Sequence, residues 1–179
     1  MKMSTVLVLA GALLASAAQA EVTDKSAAGF EVTEHATIAA PPAKVYAALL
    51  TPGAWWSSRH SFSGDARNLT LDLASGCFCE KLPHGFVRHM TVIYADGGAG
   101  LRLSGGLGPM QFTGATGVLG FSLKADGGKT DLIVTYDVGG YAKRGLAETL
   151  AAPVDQVLGE QVTRLKAYVE TGKPDPTAP

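Results

Sequence analysis

Residues 130–169 read TDLIVTYDVGGYAKRGLAETLAAPVDQVLGEQVTRLKAYV, and their apolar period changes partway. Thr130–Val138 is rich in β-branched residues and reads as a strand. After Gly139-Gly140, the residues Leu146, Leu150, Val154, Leu158, Val162, Leu165 and Val169 recur every three or four positions. That spacing puts one apolar stripe along a helix. Pro153 lacks a backbone donor, so a kink or restart is expected near Ala152. The residues from Gly172 to Pro179 are polar and Pro-rich and are expected to form a disordered tail.

Upstream of this stretch the chain is mostly strand-like. Gly29–Ile38 alternates and reads as a first strand, stopped by Pro41-Pro42. Pro42–Leu50 reads as a helix, since proline is tolerated in a first turn, and Ala54–Ser58 as a short helical turn. Strands are then expected over Asn68–Leu73, Cys77–Leu82, Gly85–Asp96, Gly100–Ser104 and Met110–Leu123, with turns at Asp96-Gly97-Gly98 and Asp126-Gly127-Gly128. The order is strand, two short helices, about six antiparallel strands and one long helix. An antiparallel sheet with one apolar face needs a cover, and the long helix supplies it. A curved sheet of about seven strands wrapped on a helix encloses space, which is the natural ligand site.

The first twenty residues are not part of this domain. Lys2 precedes a short uncharged apolar run, Val6–Ala18, and Ala18-Gln19-Ala20 places small residues at both recognition positions. This reads as a signal peptide over residues 1–20, cleaved after Ala20. A flexible segment over 21–27 then leads to a domain over 28–171. The mature chain is expected to be exported, most simply to a bacterial periplasm, with no membrane segment after cleavage. Hydrophobic residues are 46% of the chain and charged residues 17%, with a formal net charge of −1. That is too apolar for disorder, too polar for a multispan membrane protein and too neutral for an electrostatic nucleic-acid binder.

The element order and the phrase Ala39-Ala40-Pro41-Pro42-Ala43-Lys44-Val45-Tyr46 resemble the START/Bet v 1-like (SRPBCC) superfamily. Trp55-Trp56, His60-Ser61-Phe62-Ser63-Gly64, Gly76-Cys77-Phe78-Cys79-Glu80, Leu82-Pro83-His84-Gly85, Val87-Arg88-His89 and Val138-Gly139-Gly140-Tyr141 resemble its exported bacterial members. Those are described as polyketide cyclase/dehydrase-like or activator-of-Hsp90-ATPase-like. The resemblance implies an α+β helix-grip fold of order β-α-α-β6-α. An exported domain meets neither cytosolic Hsp90 nor ATP, so that partner is not expected.

Glu80 and His89 are the sharpest candidate pair. They lie on successive strands around the Pro83-His84-Gly85 loop, and a carboxylate beside an imidazole orients it for acid–base work. A polar pair closing one end of the sheet is the plainer reading. Trp55, Trp56 and His60 follow the short helices and would close one end of the cavity. Tyr136, Tyr141 and Arg102 are further candidate ligand contacts, against satisfied core phenols and a solvated edge cation. His60, Glu80 and His89 would make an open metal site if they converged, but their spacing matches no metal motif, so no metal is expected. No cofactor is expected either: there is no P-loop or nucleophile elbow, and Gly105–Gly108 lacks the strand-then-helix setting of a dinucleotide site. Cys77 and Cys79 are two buried thiols, a disulfide that bends its strand, or a reactive or metal-binding pair. The first functional reading is a binder of a small apolar or amphipathic molecule. An acid–base enzyme using Glu80 and His89 and an envelope protein-interaction module are the alternatives.

Overall fold

A computed structural model describes residues 19–175. Of the expected leader over 1–20, residues 1–18 lie outside the described residues, as does the end of the expected tail, 176–179, while Gln19 and Ala20 begin β1. The chain forms β1 (Gln19–Ser26), β2 (Gly29–Ile38), α1 (Pro42–Leu49), β3 (Leu69–Asp72), β4 (Cys77–Leu82), β5 (Gly85–Asp96), β6 (Gly100–Gly105), β7 (Gly114–Asp126), β8 (Lys129–Tyr141) and α2 (Leu146–Thr171). The strands make one antiparallel sheet of eight, in the order β1-β2-β8-β7-β6-β5-β4-β3. Alternate residues of β2 and β8 (Phe30, Val32, Ile38; Leu132, Val134, Tyr136, Val138) face inward and are buried. The stripe of α2 covers them with Leu158, Val162, Leu165 and Val169.

Among the described residues the connection from β2 to β3 is the longest. Between β2 and β3 the chain travels from one side of the sheet to its far edge. It does so through α1 and three single 3-10 turns, Pro52–Ala54, Ser58–His60 and Ala66–Asn68. The strap over residues 55–63 therefore lies between α2 and the sheet.

Four local expectations are corrected. Glu21–Ser26 is not a free segment but part of β1, paired with β2 from Glu21↔Thr33 to Ser26↔Gly29. Pairing satisfies the outer edge of β2, which would otherwise present open backbone groups. Trp55-Trp56 lies between two 3-10 turns rather than in a helical turn. Met110–Phe112 is not strand, because Pro109 removes a ladder donor and Gly108 takes a left-handed φ of 52°; Gly108–Phe112 forms a 3-10 turn. The long helix runs unbroken through Pro153, with no restart. Its end is capped by Gly172 in the left-handed conformation, whose N–H donates to the Tyr168 carbonyl at 2.8 Å. Beyond it, Asp175 pairs with Arg164.

Gly105 ends β6 where backbones approach closely. Its φ is 154°, and a Cβ there would lie 2.5 Å from the His89 carbonyl oxygen and 2.9 Å from the Met90 Cα. Gly105→Ala is expected to lower the melting temperature by roughly 5 °C or more. Gly85→Ala, where a Cβ meets nothing within 4 Å, is expected to leave it unchanged. Equal melting temperatures for the two variants would contradict this account of the β5–β6 contact.

Candidate functional site

The site begins with a mismatch between two strands. Phe78 pairs with Met90 and Cys79 with Arg88, so His89 has no partner on β4. Such an extra residue is a β-bulge, and it re-aims side chains. Here it turns His89 and Met90 inward together; both are buried although adjacent in sequence. The bulge sits beside Cys77 and Cys79, which form a disulfide with Cα atoms 5.4 Å apart. A regular strand would hold them roughly 6.6 Å apart. Among the readings open from sequence, the structure gives the bonded one.

Glu80 lies on the inner face of β4 and is fully buried. Its Oε2 accepts from the Phe62 N–H at 3.0 Å and contacts His89 Nε2 at 2.9 Å. Its Oε1 accepts from the Ser63 N–H at 2.5 Å. Burial pushes its carboxyl up, but the bonds from Ser63, Phe62 and His89 outweigh this and hold it below its ordinary value. His89 lies between Phe62 and Phe78, with ring centroids 5.7 and 5.3 Å away. Burial there lowers the imidazole against the upward pull of Glu80. The pair at neutral pH is thus a carboxylate and a neutral imidazole. Gln111 Nε2 lies 3.3 Å from His89 Nδ1. An amide donor on Nδ1 and a carboxylate on Nε2 together assign the Nε2–H tautomer.

The strap is held from its other side by α2. Gln161 is buried, and its Oε1 accepts from the Ser57 N–H at 2.8 Å. Arg164 Nε donates to the Trp55 carbonyl at 2.8 Å. Glu160 meets Arg59 at 2.9 Å and His60 Nε2 at 3.0 Å. Burial pushes the Glu160 carboxyl up, yet its bonds from Arg59, Ser57 and His60 draw it down to about 2.

Between strap, sheet and helix lies a cavity of about 400 Å³. Phe78, Met110, Val154 and Leu158 are among its walls, and Trp56, His60 and His89 also line it. Each polar side chain of its wall holds at least one bond within the protein. Trp56 Nε1 donates to the His60 carbonyl at 3.0 Å, and Ser61 Oγ to the Ser58 carbonyl at 2.9 Å. His60 is thus in the cavity wall with His89, but its partner is Glu160, not Glu80. Among the described residues no three His, Cys, Asp or Glu converge as a metal site.

The other candidates stand elsewhere. Trp55 is buried in the core, donating to the Ala48 carbonyl at 2.8 Å. Tyr136 is buried and holds the loop after β6: its OH donates to the Gly105 carbonyl at 2.9 Å and accepts from the Leu107 N–H at 3.3 Å. Burial pushes its phenol up to about 12. Tyr141 is 72% exposed at the end of β8. Arg102 points to the outer face of the sheet, stacked over Tyr94 at 4.7 Å. Sequence reasoning missed Phe62, Gln111, Glu160, Gln161 and Arg164. Their partners are distant in sequence or are backbone groups, and no local pattern marks them. Leu150, Val154 and Leu158 were visible as a stripe, but not as a cavity wall.

Three solved structures share this architecture. CalU16 from Micromonospora echinospora is 13% identical over 90% of this chain and 88% of that one, with a TM-score of 0.55. The Aha1 dimer from Colwellia psychrerythraea is 19% identical over 80% and 98%, with a TM-score of 0.53. Ara h 8.0201 is 14% identical over 78% and 96%, also with a TM-score of 0.53. No protein-family model and no curated protein matches the chain. Likeness at these identities is likeness of fold, and the chain shares with these structures a helix-grip fold, a curved antiparallel sheet packed on a long C-terminal helix.

Proposed function

We propose that this protein is an exported binder of a small apolar or amphipathic molecule, held in the cavity between strap, sheet and α2. The observation that carries the reading is the cavity itself: about 400 Å³, walled mostly by apolar side chains, with each polar side chain of the wall bonded at least once within the protein. That volume falls within the roughly 300–1,000 Å³ of small-molecule sites. A wall with few free donors or acceptors favours an apolar body, because a buried polar group without a partner is costly. Export rests on the leader-like residues 1–20 and on the Cys77–Cys79 bond, which suits an oxidising compartment.

A second reading has its own observation. His89 lies in the cavity wall with a buried carboxylate on its Nε2, and such a pair can move protons near neutral pH. The two readings part at His89→Phe. A container whose fold survives the loss of this Glu80 donor still binds its ligand, whereas an acid–base site loses turnover.

An uncharged fluorescent probe, N-phenylnaphthylamine, tests the cavity. It is expected to bind one per chain, and Val154→Trp, which fills the cavity from α2, is expected to weaken it about tenfold or more. Unchanged affinity in Val154→Trp, with the fold intact by circular dichroism, would remove the cavity as the site.

Glu80→Gln removes a charged acceptor from three contacts and is expected to destabilise the fold by about 2 kcal/mol in urea titration at pH 7. The folded-state carboxyl is held below its unfolded value. Its stabilisation is therefore fully present above about pH 4.3 and is lost as pH falls through the folded value. The stability gap between Glu80→Gln and the wild type is thus expected to close on acidification. A gap independent of pH would show that charge is not what Glu80 contributes.

A further inference from the structure

Among the described residues, three buried side-chain oxygens lack a hydrogen-bond partner: both carboxylate oxygens of Glu34 and Oδ1 of Asp155. Glu34 is fully buried on the inner face of β2, and α2 carries Asp155 over β1 and β2. A buried carboxylate left unpaired is rare and asks for an explanation. The surrounding charges make it worse. Asp155 acts on Glu34, and Glu21 of β1 acts on Asp155, each as a like charge. From β8 the residue opposite Glu34 is Val134, which carries no charge. No lysine, arginine or histidine pairs with these three acids among the described residues.

The register of β1 supplies what is missing. Ala20 lies opposite Glu34, and Glu21 opposite Thr33. Directly opposed residues of antiparallel strands have Cα atoms roughly 4.5–5.5 Å apart. The Ala20–Glu21 peptide bond therefore runs beside Glu34, and it is the bond at which the leader-like segment ends.

We propose that leader removal after Ala20 creates an α-ammonium on Glu21 that binds the Glu34–Asp155 pair as its counter-ion. Hydrolysis adds one water across the peptide bond. Ala20 leaves with the leader as a carboxylate, and the Glu21 nitrogen becomes an ammonium. The site fits a single ammonium better than a metal, since among the described residues no three ligating side chains converge. In the unprocessed chain burial, with the Asp155 charge, pushes the Glu34 carboxyl up to about 7. An acid raised in the folded state loses stability as pH rises from about 4.3, its unfolded value, toward the folded one. The ammonium offsets that loss.

The proposal rests on cleavage after Ala20, which the intact mass of the exported protein reads directly; a chain starting elsewhere overturns it. The ion pair is read separately, on the exported protein and on a chain retaining two extra residues before Glu21. The extension moves the ammonium roughly 7 Å along the strand. In the processed protein the Glu21 α-amine, titrated by NMR, is expected well above its ordinary value of about 7.7–8.0. Glu34→Gln is expected to return it to that range. The extended chain is expected to melt about 3 °C or more lower at pH 8 and to match the processed protein below pH 5. An ordinary α-amine in the processed protein, unmoved by Glu34→Gln, or equal melting curves for both chains at pH 8, would overturn the ion pair whatever the cleavage site.

Discussion

The buried carboxylate of Glu80 is the constraint on which the functional end of the molecule depends. A charge with no exposed surface must be met by donors, and removing any of them leaves an uncompensated charge. Two of its donors are the backbone amides of Phe62 and Ser63, and the third is His89. The strap must therefore descend onto β4. On its other side Gln161, Arg164 and Glu160 fix it to α2. The cavity is the space left when one segment is tied to two layers at once. Glu80 shapes that space without lining it.

The same region explains why the wall is apolar. Contraction of β4 at Cys77–Cys79 and the extra residue on β5 turn two successive side chains inward. His89 then fits between Phe62 and Phe78 rather than pairing across the ladder. Its hydrogen-bonding capacity is spent on Glu80 and Gln111. Tyr136 fixes the loop that leads into the opposite wall. Polar atoms are present around the cavity, but their bonds run within the protein.

What is legible in the sequence is what repeats or what is local. The stripe from Leu146 to Val169 and the strands after Gly76 announce the sheet and its covering helix. Glu80 and His89 can be placed together because a short loop joins their strands. β1 escapes notice because Ala27-Ala28 carries no turn signal and Glu21–Ser26 has a single large apolar residue, Val22, to mark a strand face. The bulge has no residue-type signature; it exists only as a difference in pairing between strands. The strap's bonds to Glu80 use backbone amides, which every residue has. Glu160 and Gln161 act across about a hundred residues, and Pro153 suggests a kink or restart where the helix continues without a restart. Glu34 occupies an inward position of an alternating strand, so its burial is readable, whereas its lack of a partner requires the packed structure.

Hydrogen exchange of the Phe62 and Ser63 amides tests the account most directly. Both lie outside any helix or strand, and by local structure alone they would exchange as open loop. If the Glu80 carboxylate holds the strap on the sheet, both amides will exchange as slowly as those of β4 and β5. Exchange at open-loop rates, with the ladder still protected, would mean that the strap is not anchored and that the cavity has no fixed wall.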